Sequence, residues 1–260
     1  MVQWHRILNK ENEKMNRPKM ILFDYGQTLI DQGRFDGVKG TAAVLEYAVR
    51  NKYHRTAEEV QAAAEEINEF LGRKKREKRH LVQVEVPNRM FTSYLYESQG
   101  IELPLSPEEV DRVFWDGATP GRRATEGIGD FLDFLREQGI RTGVVSNLAF
   151  CGKALKDRID DMVPGHRFEF ILATSEYLFR KPNRRIFDLA LERAGLSAEE
   201  VWYVGDDYEC DVLGARNAGI YPVWYLGAID VPYTRQEGVL MVENWGELKG
   251  VLQEVKSESY

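Results

Sequence analysis

Cysteine is nearly absent from this chain of 260 residues. Its two thiols, Cys151 and Cys210, exclude a disulfide scaffold and a cysteine-rich zinc module and match a reducing compartment. A single bridge between them is allowed but not required for folding. Histidine is also scarce, with four residues at no metal-ligand spacing. Positive charge falls short of negative, 35 Lys and Arg against 42 Asp and Glu, giving a net charge of -7. General attraction to nucleic acid or to an anionic membrane is therefore not expected. No apolar run approaches the ~18 residues that span a bilayer, and the leader MVQWHRILNKENEKMNRPKM lacks the apolar centre of a signal peptide. A soluble cytoplasmic protein is the expectation, with neither nucleic acid nor membrane as partner.

What is present suffices for a core. Hydrophobic residues make up 43% of the chain and aromatics 11%. A chain of this length buries roughly 70 to 75% of its unfolded surface without a staple. At roughly 150 residues per domain, the length fits one large domain or two modest ones. In the leader, Trp4, Ile7 and Leu8 lean towards an ordered segment.

Apolar runs alternate with helical periodicity over most of the chain. Residues 20–23 form a short apolar run ending at Asp24 and then Gly26, the pattern of a buried strand that delivers a carboxylate to a turn. Residues 128–138 have helical spacing closed by Gly139 and feed a strand at 141–146. The rhythm repeats as a strand at 168–173, a helix at 184–194 stopped by Gly195, and a strand at 201–204 with Asp206 just beyond it. A short helix at 211–218, a strand at 221–225 and a closing helix at 245–255 follow. Such alternation implies an α/β fold, a doubly wound parallel sheet covered on both faces.

The interval from about 35 to 118 breaks the pattern. Residues 41–50, 57–71 and 88–99 have helical character and no convincing strand intervenes, so a helical subdomain is expected there. Pro104 and Pro107 are taken to break the last stretches, and Pro120-Gly121 to form the return hinge. The expected division is an α/β core of residues 1–34 and 119–260 with an inserted helical cap at 35–118.

In open parallel sheets, ligands bind outside the carboxyl ends of the strands. Asp24 falls there after the first strand, Ser146 and Asn147 after the second, Lys181 after the third and its loop, and Asp206 with Asp207 after the fourth. A carboxylate nucleophile, a hydroxyl, a fixed cation and further carboxylates suit phosphoryl transfer. Magnesium prefers oxygen ligands and usually takes one or two carboxylates, which Asp24 and Asp206 would supply. With phosphoryl charge neutralised by the metal and Lys181, Asp24 could attack in line and form an aspartyl phosphate.

Four segments in order also resemble motifs of the haloacid dehalogenase superfamily. Phe23-Asp24-Tyr25-Gly26-Gln27-Thr28-Leu29 is similar to the first, Val144-Val145-Ser146-Asn147 to the second, Lys181-Pro182-Asn183-Arg184 to the third, and Gly205-Asp206-Asp207-Tyr208-Glu209-Cys210-Asp211 to the fourth. The likeness spans about residues 20 to 227, and the insertion resembles the superfamily's helical cap. It implies Asp24, Ser146 and Lys181 as catalytic residues and Thr28 and Asn147 as substrate-binding ones. Mg2+ would be held by Asp24, the backbone carbonyl of Gly26 and Asp206. Asp207 would support them, and Asp211 would orient Lys181 or a metal-bound water.

One departure stands out, because the second aspartate of the first motif, the superfamily's general acid and base, is Gly26 here. Positioned proton transfer contributes about 10² to 10⁴ in rate, so poor leaving groups should turn over slowly. Tyr25, Gln27 and Asp31 lie near enough to replace the missing acid, and spacing selects none of them.

Each residue has a plainer reading. Asp24 alone would be a turn residue, Ser146 and Asn147 helix caps, Lys181 a solvated lysine, and Asp206, Asp207 and Asp211 an Asx-turn cluster. The basic run 73–79 reads as a solvated helix face sooner than a lure for acidic substrates. Gly33, Gly37 and Gly40 fit a cap hinge or simple turns.

The expected function is a magnesium-dependent phosphatase acting on a small phosphorylated metabolite, faster on acyl or aryl phosphates than on sugar phosphates. Two alternatives stand beside it. Carbon-halogen hydrolysis without metal would use Arg50 or Arg55 to hold a substrate carboxylate, with Asp206 and Asp207 arguing against it. A non-catalytic sensor of a phosphorylated ligand would also tolerate Gly26, although it gains little from Asp24 and Lys181.

Overall fold

The computed structural model describes residues 16–73, 80–229, 233–234, 236 and 238–255. Trp4, Ile7, Leu8 and, after Arg73, the basic run lie outside the described residues. In chain order the strands are β1 (Met20–Phe23), β2 (Ile30–Asp31), β3 (Arg50–Asn51), β4 (Ile101–Glu102), β5 (Arg123–Ala124), β6 (Arg141–Ser146), β7 (Ile171–Ala173), β8 (Val201–Gly205), β9 (Tyr221–Tyr225) and β10 (Leu240–Val242). The α-helices are α1 (Gly37–Leu45), α2 (Ala57–Phe70), α3 (Asn88–Ser98), α4 (Pro107–Ala118), α5 (Ile128–Glu137), α6 (Gly152–Met162), α7 (Arg184–Ala194), α8 (Gly214–Asn217) and α9 (Trp245–Glu254).

Six strands form one parallel sheet in the order β10-β9-β8-β1-β6-β7. The expected α/β parallel architecture is present. β1 lies between β8 and β6, and all four of its residues are buried, which is why it reads as an unbroken apolar run. Its alternate side chains enter two cores. Ile21 and Phe23 join Phe131 and Leu135 of α5 and Trp245, Leu248 and Leu252 of α9. Met20 and Leu22 join Ile186, Phe187 and Ala190 of α7. With both faces covered, ligands can reach this centre only from the strand ends.

The helices between β2 and β5 surround a smaller core of Val44, Val60, Ala64, Leu95, Tyr96, Ile101 and Val110. Here the structure departs from the sequence expectation in two places. Pro107 begins α4 instead of breaking it, because a first-turn residue needs no N–H. Ser106 caps the helix, its Oγ accepting from Glu109 N at 3.3 Å while Glu109 returns a carboxylate oxygen to Ser106 N at 2.7 Å. Periodicity also extends the first helix to residue 50, whereas α1 ends at Leu45 and Arg50 enters β3. That strand pairs antiparallel with β4, and two residues are too few to show a period. Helix α6 and strand β10 also lack a sequence-based expectation. Both cysteines are free thiols. No helix among the described residues is long and apolar enough to cross a membrane.

Candidate active site

Asp24 leaves β1 at the carboxyl edge of the sheet. Its N–H donates to Val204 O at 2.8 Å, extending the β1–β8 ladder by one residue and fixing where the carboxylate points. Lys181 reaches the same point from the loop after β7. The side chain of Asn147, just past β6, clamps the lysine's backbone: Nδ2 donates to Lys181 O at 2.9 Å and Oδ1 accepts from Lys181 N at 2.8 Å.

The Lys181 ammonium is 1% exposed and has three partners at 2.6 Å, namely Asp24 Oδ1, Asp211 Oδ1 and the Tyr203 hydroxyl. Tyr203 in turn donates to Val145 O at 2.7 Å, which orients its oxygen lone pair towards the lysine. Burial disfavours a charged lysine, but Asp211 and Asp24 outweigh it and hold its pKa well above the ordinary value.

The third acidic residue comes from the turn after β8. Gly205 is required there, because a Cβ would overlap the Asp211 carboxylate. Asp207 caps the following wide helical turn, Tyr208–Leu213, through Oδ1, which accepts from Glu209 N at 3.1 Å and Cys210 N at 3.0 Å. Asp211 Oδ2 accepts from Asp207 N at 3.0 Å, and Trp224 Nε1 holds Asp206 O at 2.8 Å. The chain thus turns back on itself and places Asp206 and Asp211 beside Asp24.

Oxygens of Asp24, Asp206 and Asp211 lie within 4.8 Å of one another. Burial, then the charges of Asp24, Asp211 and Asp207, raises the Asp206 pKa well above the usual carboxylate range. Burial likewise pushes Asp211 up to about 7 against the pull of Lys181. One ammonium is too little positive charge for this crowd. An all-carboxylate oxygen set with surplus negative charge fits a hard divalent cation such as Mg2+.

Asp24, Lys181, Asp206 and Asp211 are therefore brought together, and the other sequence candidates take different places. Asp207 caps its turn. Asn147 clamps the Lys181 backbone through both its side-chain atoms. Ser146 ends β6, buried and in register with Ala173. Thr28 is fully buried, and its backbone carbonyl accepts from Thr125 Oγ1 at 2.9 Å. Arg50 pairs with Glu102 at 2.9 Å and Arg55 with Glu59 at 3.5 Å, both within the helical insertion. Tyr203 is the residue that sequence reasoning missed. The available signal was a hydroxyl inside an apolar strand, which burial obliges to find a partner.

A parallel sheet that gathers a carboxylate, a buried lysine and an acidic turn at its strand ends defines a class of α/β hydrolytic enzymes. The model of the haloacid dehalogenase-like hydrolases matches residues 18–219, from just before β1 to the turn after α8, and the chain belongs to that family of hydrolases. Over 218 residues it is 26% identical to glyceraldehyde 3-phosphate phosphatase of Pyrococcus abyssi, spanning 80% of this chain and 81% of that one. Among solved structures, a HAD phosphatase from Thermococcus onnurineus aligns with a TM-score of 0.61 at 20% identity over 90% of this chain and 97% of the other. A 2-haloacid dehalogenase from Pseudomonas syringae pv. Tomato DC3000 aligns at 0.60 and 19% identity, over 91% and 98%. Two such scores describe one fold and do not separate the two chemistries.

Proposed function

We propose that this hydrolase is a magnesium-dependent phosphatase acting on small phosphorylated metabolites in the cytoplasm, with Asp24 as nucleophile. The observation that carries the reading is the surplus of carboxylates around Asp24 and Lys181. A phosphate monoester brings negative charge to a negatively charged nucleophile and needs cations on both. Dehalogenation of a haloacid has no use for Asp206, whose charge would repel the substrate's own carboxylate. The likeness to a curated phosphatase over most of both chains supports the same choice.

In this reading Asp24, Asp206 and the backbone carbonyl of Gly26 would hold Mg2+, with Asp211 behind them. The ion would supply charge neutralisation at the phosphoryl oxygens. Lys181 orients Asp24 while its charge faces the phosphoryl group. An oxygen of Asp24 bonds to phosphorus as the ester P–O bond breaks, and the electron pair departs with the leaving-group oxygen, which takes a proton from solvent. Water then attacks phosphorus, releasing inorganic phosphate and free Asp24. Tyr203 and Asn147 hold the lysine. The helical insertion, residues 35–118, acts as the cap over a core of residues 1–34 and 119–260 and carries substrate choice.

The deciding experiment is hydrolysis of 4-nitrophenyl phosphate with and without Mg2+, with Asp24→Asn as blank and a 2-haloacid as parallel substrate. Magnesium-dependent phosphate release, lost in Asp24→Asn, is expected. Metal-independent halide release without phosphate release would overturn the proposal.

A further inference from the structure

The reaction above leaves one chemical need unassigned, a group to stabilise the oxygen that departs with the electron pair. Near Asp24, the side chains that sequence offered for this task are engaged elsewhere. Asp31 pairs with Arg123 at 2.8 Å and accepts from Gly33 N at 2.9 Å. Gln27 is stretched between Ala228 O at 3.2 Å and Gln32 N at 2.9 Å. Tyr25 is buried, its ring 5.7 Å from that of Trp115 and its hydroxyl facing Arg158 and not Asp24. Gly26 has no side chain, yet the space beside it is filled. A Cβ built there would collide with Nε2 of Gln32 and lie 3.5 Å from its Cδ.

We infer that Gln32 is a catalytic residue of the proposed phosphatase, its carboxamide standing where a side chain at position 26 would be and donating a hydrogen bond from Nε2 to the leaving-group oxygen. The inference rests on the phosphatase reading. Its structural basis is the loop after β1, which folds back so that Ile30 bridges Gly26. Ile30 N donates to Tyr25 O at 3.0 Å and Gln27 N to Ile30 O at 2.8 Å, and β2 pairs with β5. The next residue, Gln32, is held through its own N–H by Gln27. Its half-buried side chain reaches back over the turn that begins at Asp24. A carboxamide has donor hydrogens but no acidic proton near neutral pH. It therefore stabilises developing charge on the leaving oxygen without neutralising it, and that oxygen takes its proton from solvent. This favours esters whose leaving groups tolerate negative charge, namely acyl and aryl phosphates.

The test is a Brønsted series on the full chain with Mg2+, running from 4-nitrophenyl phosphate to alkyl phosphates. Gln32→Ala should lower kcat/KM about tenfold for alkyl esters, the value of one hydrogen bond, and least for 4-nitrophenyl phosphate. Gln32→Glu should raise turnover of alkyl esters by up to about 10²-fold and add an activity loss as pH rises through the pKa of the new acid. Gly26→Asp should be accommodated by rotation of the flexible Gln32 side chain, after which adding Gln32→Ala should change nothing further. Equal loss across the series, no loss, or additivity between positions 26 and 32 would overturn the role of Gln32 and leave the phosphatase reading intact. Absence of wild-type turnover on every ester would instead overturn that reading. In that event the Gln32 side-chain amide resonances, identified by their loss in Gln32→Ala, still decide the placement. A shift on adding orthovanadate supports an amide facing the bound anion, and no shift refutes it.

Discussion

Two buried ion clusters sit on neighbouring residues, and their charge balance is opposite. Lys181 places one cation among Asp24, Asp211 and Tyr203, with Asp206 close by. Immediately before it, Arg180 joins Arg73 around one carboxylate, Glu85, whose side chain has no exposure. Glu85 Oε1 accepts from Arg180 at 2.9 Å and Arg73 at 3.2 Å, and Oε2 accepts from Arg180 at 3.0 Å and Thr174 at 2.8 Å. Both carboxylate oxygens are satisfied there, and the arginines keep partial access to water. The cluster joins the helical insertion to the loop that carries Lys181, since Glu85 N donates to Leu178 O at 2.7 Å and Arg180 N to Gln83 O at 3.0 Å. The Lys181 cluster, by contrast, is short of positive charge, and burial together with the neighbouring carboxylates raises the pKa of Asp206 and Asp211. A buried carboxylate whose oxygens are all satisfied by cations holds parts together, whereas a buried cluster short of positive charge is built to receive a cation.

That contrast breaks cleanly under mutation. Lys181→Met should have the largest effect, leaving Asp24 and Asp211 face to face and reducing kcat for 4-nitrophenyl phosphate by roughly 10³-fold or more, by analogy with loss of an oriented catalytic charge. Glu85→Ala should do the reverse. Two mostly buried guanidinium groups lose their counter-ion, so urea unfolding should report a loss of about 3 kcal/mol. Turnover of 4-nitrophenyl phosphate below the transition should stay within a few-fold of wild type. Equal loss of activity and stability in both variants would erase the distinction.

Mg2+ sharpens the comparison from the other side. A ligand that binds only the folded state at 100 times its Kd stabilises by ~2.7 kcal/mol. Calorimetry should therefore show a rise in Tm with Mg2+, reversed by chelation and absent in Asp206→Asn, with no such dependence introduced or removed by Glu85→Ala. An exposed pair supplies the baseline and the smallest effect. Glu200 accepts from Lys19 at 2.5 Å and from Ser197, and these hydrogen bonds lower its pKa to about 2. Because its folded pKa is depressed, its contribution is present at neutral pH and disappears as pH falls from the ordinary glutamate range towards about 2. Glu200→Gln should lower Tm only slightly at neutral pH, and high salt should remove the difference.

Much of the core was legible in order and type. The apolar runs at 20–23, 141–146 and 221–225 coincide with β1, β6 and β9 because buried parallel strands need continuous apolar residues. Asp24, Lys181 and Asp206 follow strands, where an α/β sheet places its ligands. The insertion was less legible. Pro107 reads as a breaker unless the Ser106 cap is recognised, and Glu85 looks like any surface glutamate until Arg73, Arg180 and Thr174 come together around it. At the site, Asn147 has the same residue type whether it touches substrate or the Lys181 backbone. Gln32 belongs to no spacing pattern, since it meets Gly26 only through the fold of the loop after β1.

By itself, the sequence determined the parallel α/β core, a carboxylate at the end of its central strand and the absence of a second acid at position 26, because these depend on local periodicity and residue identity. Tertiary structure alone decided that Lys181 lies between two aspartates and a tyrosine and that a glutamine side chain occupies the gap at Gly26. Those are contacts between side chains distant along the chain or aimed by a folded-back loop, and their direction is set by packing, which no local pattern encodes.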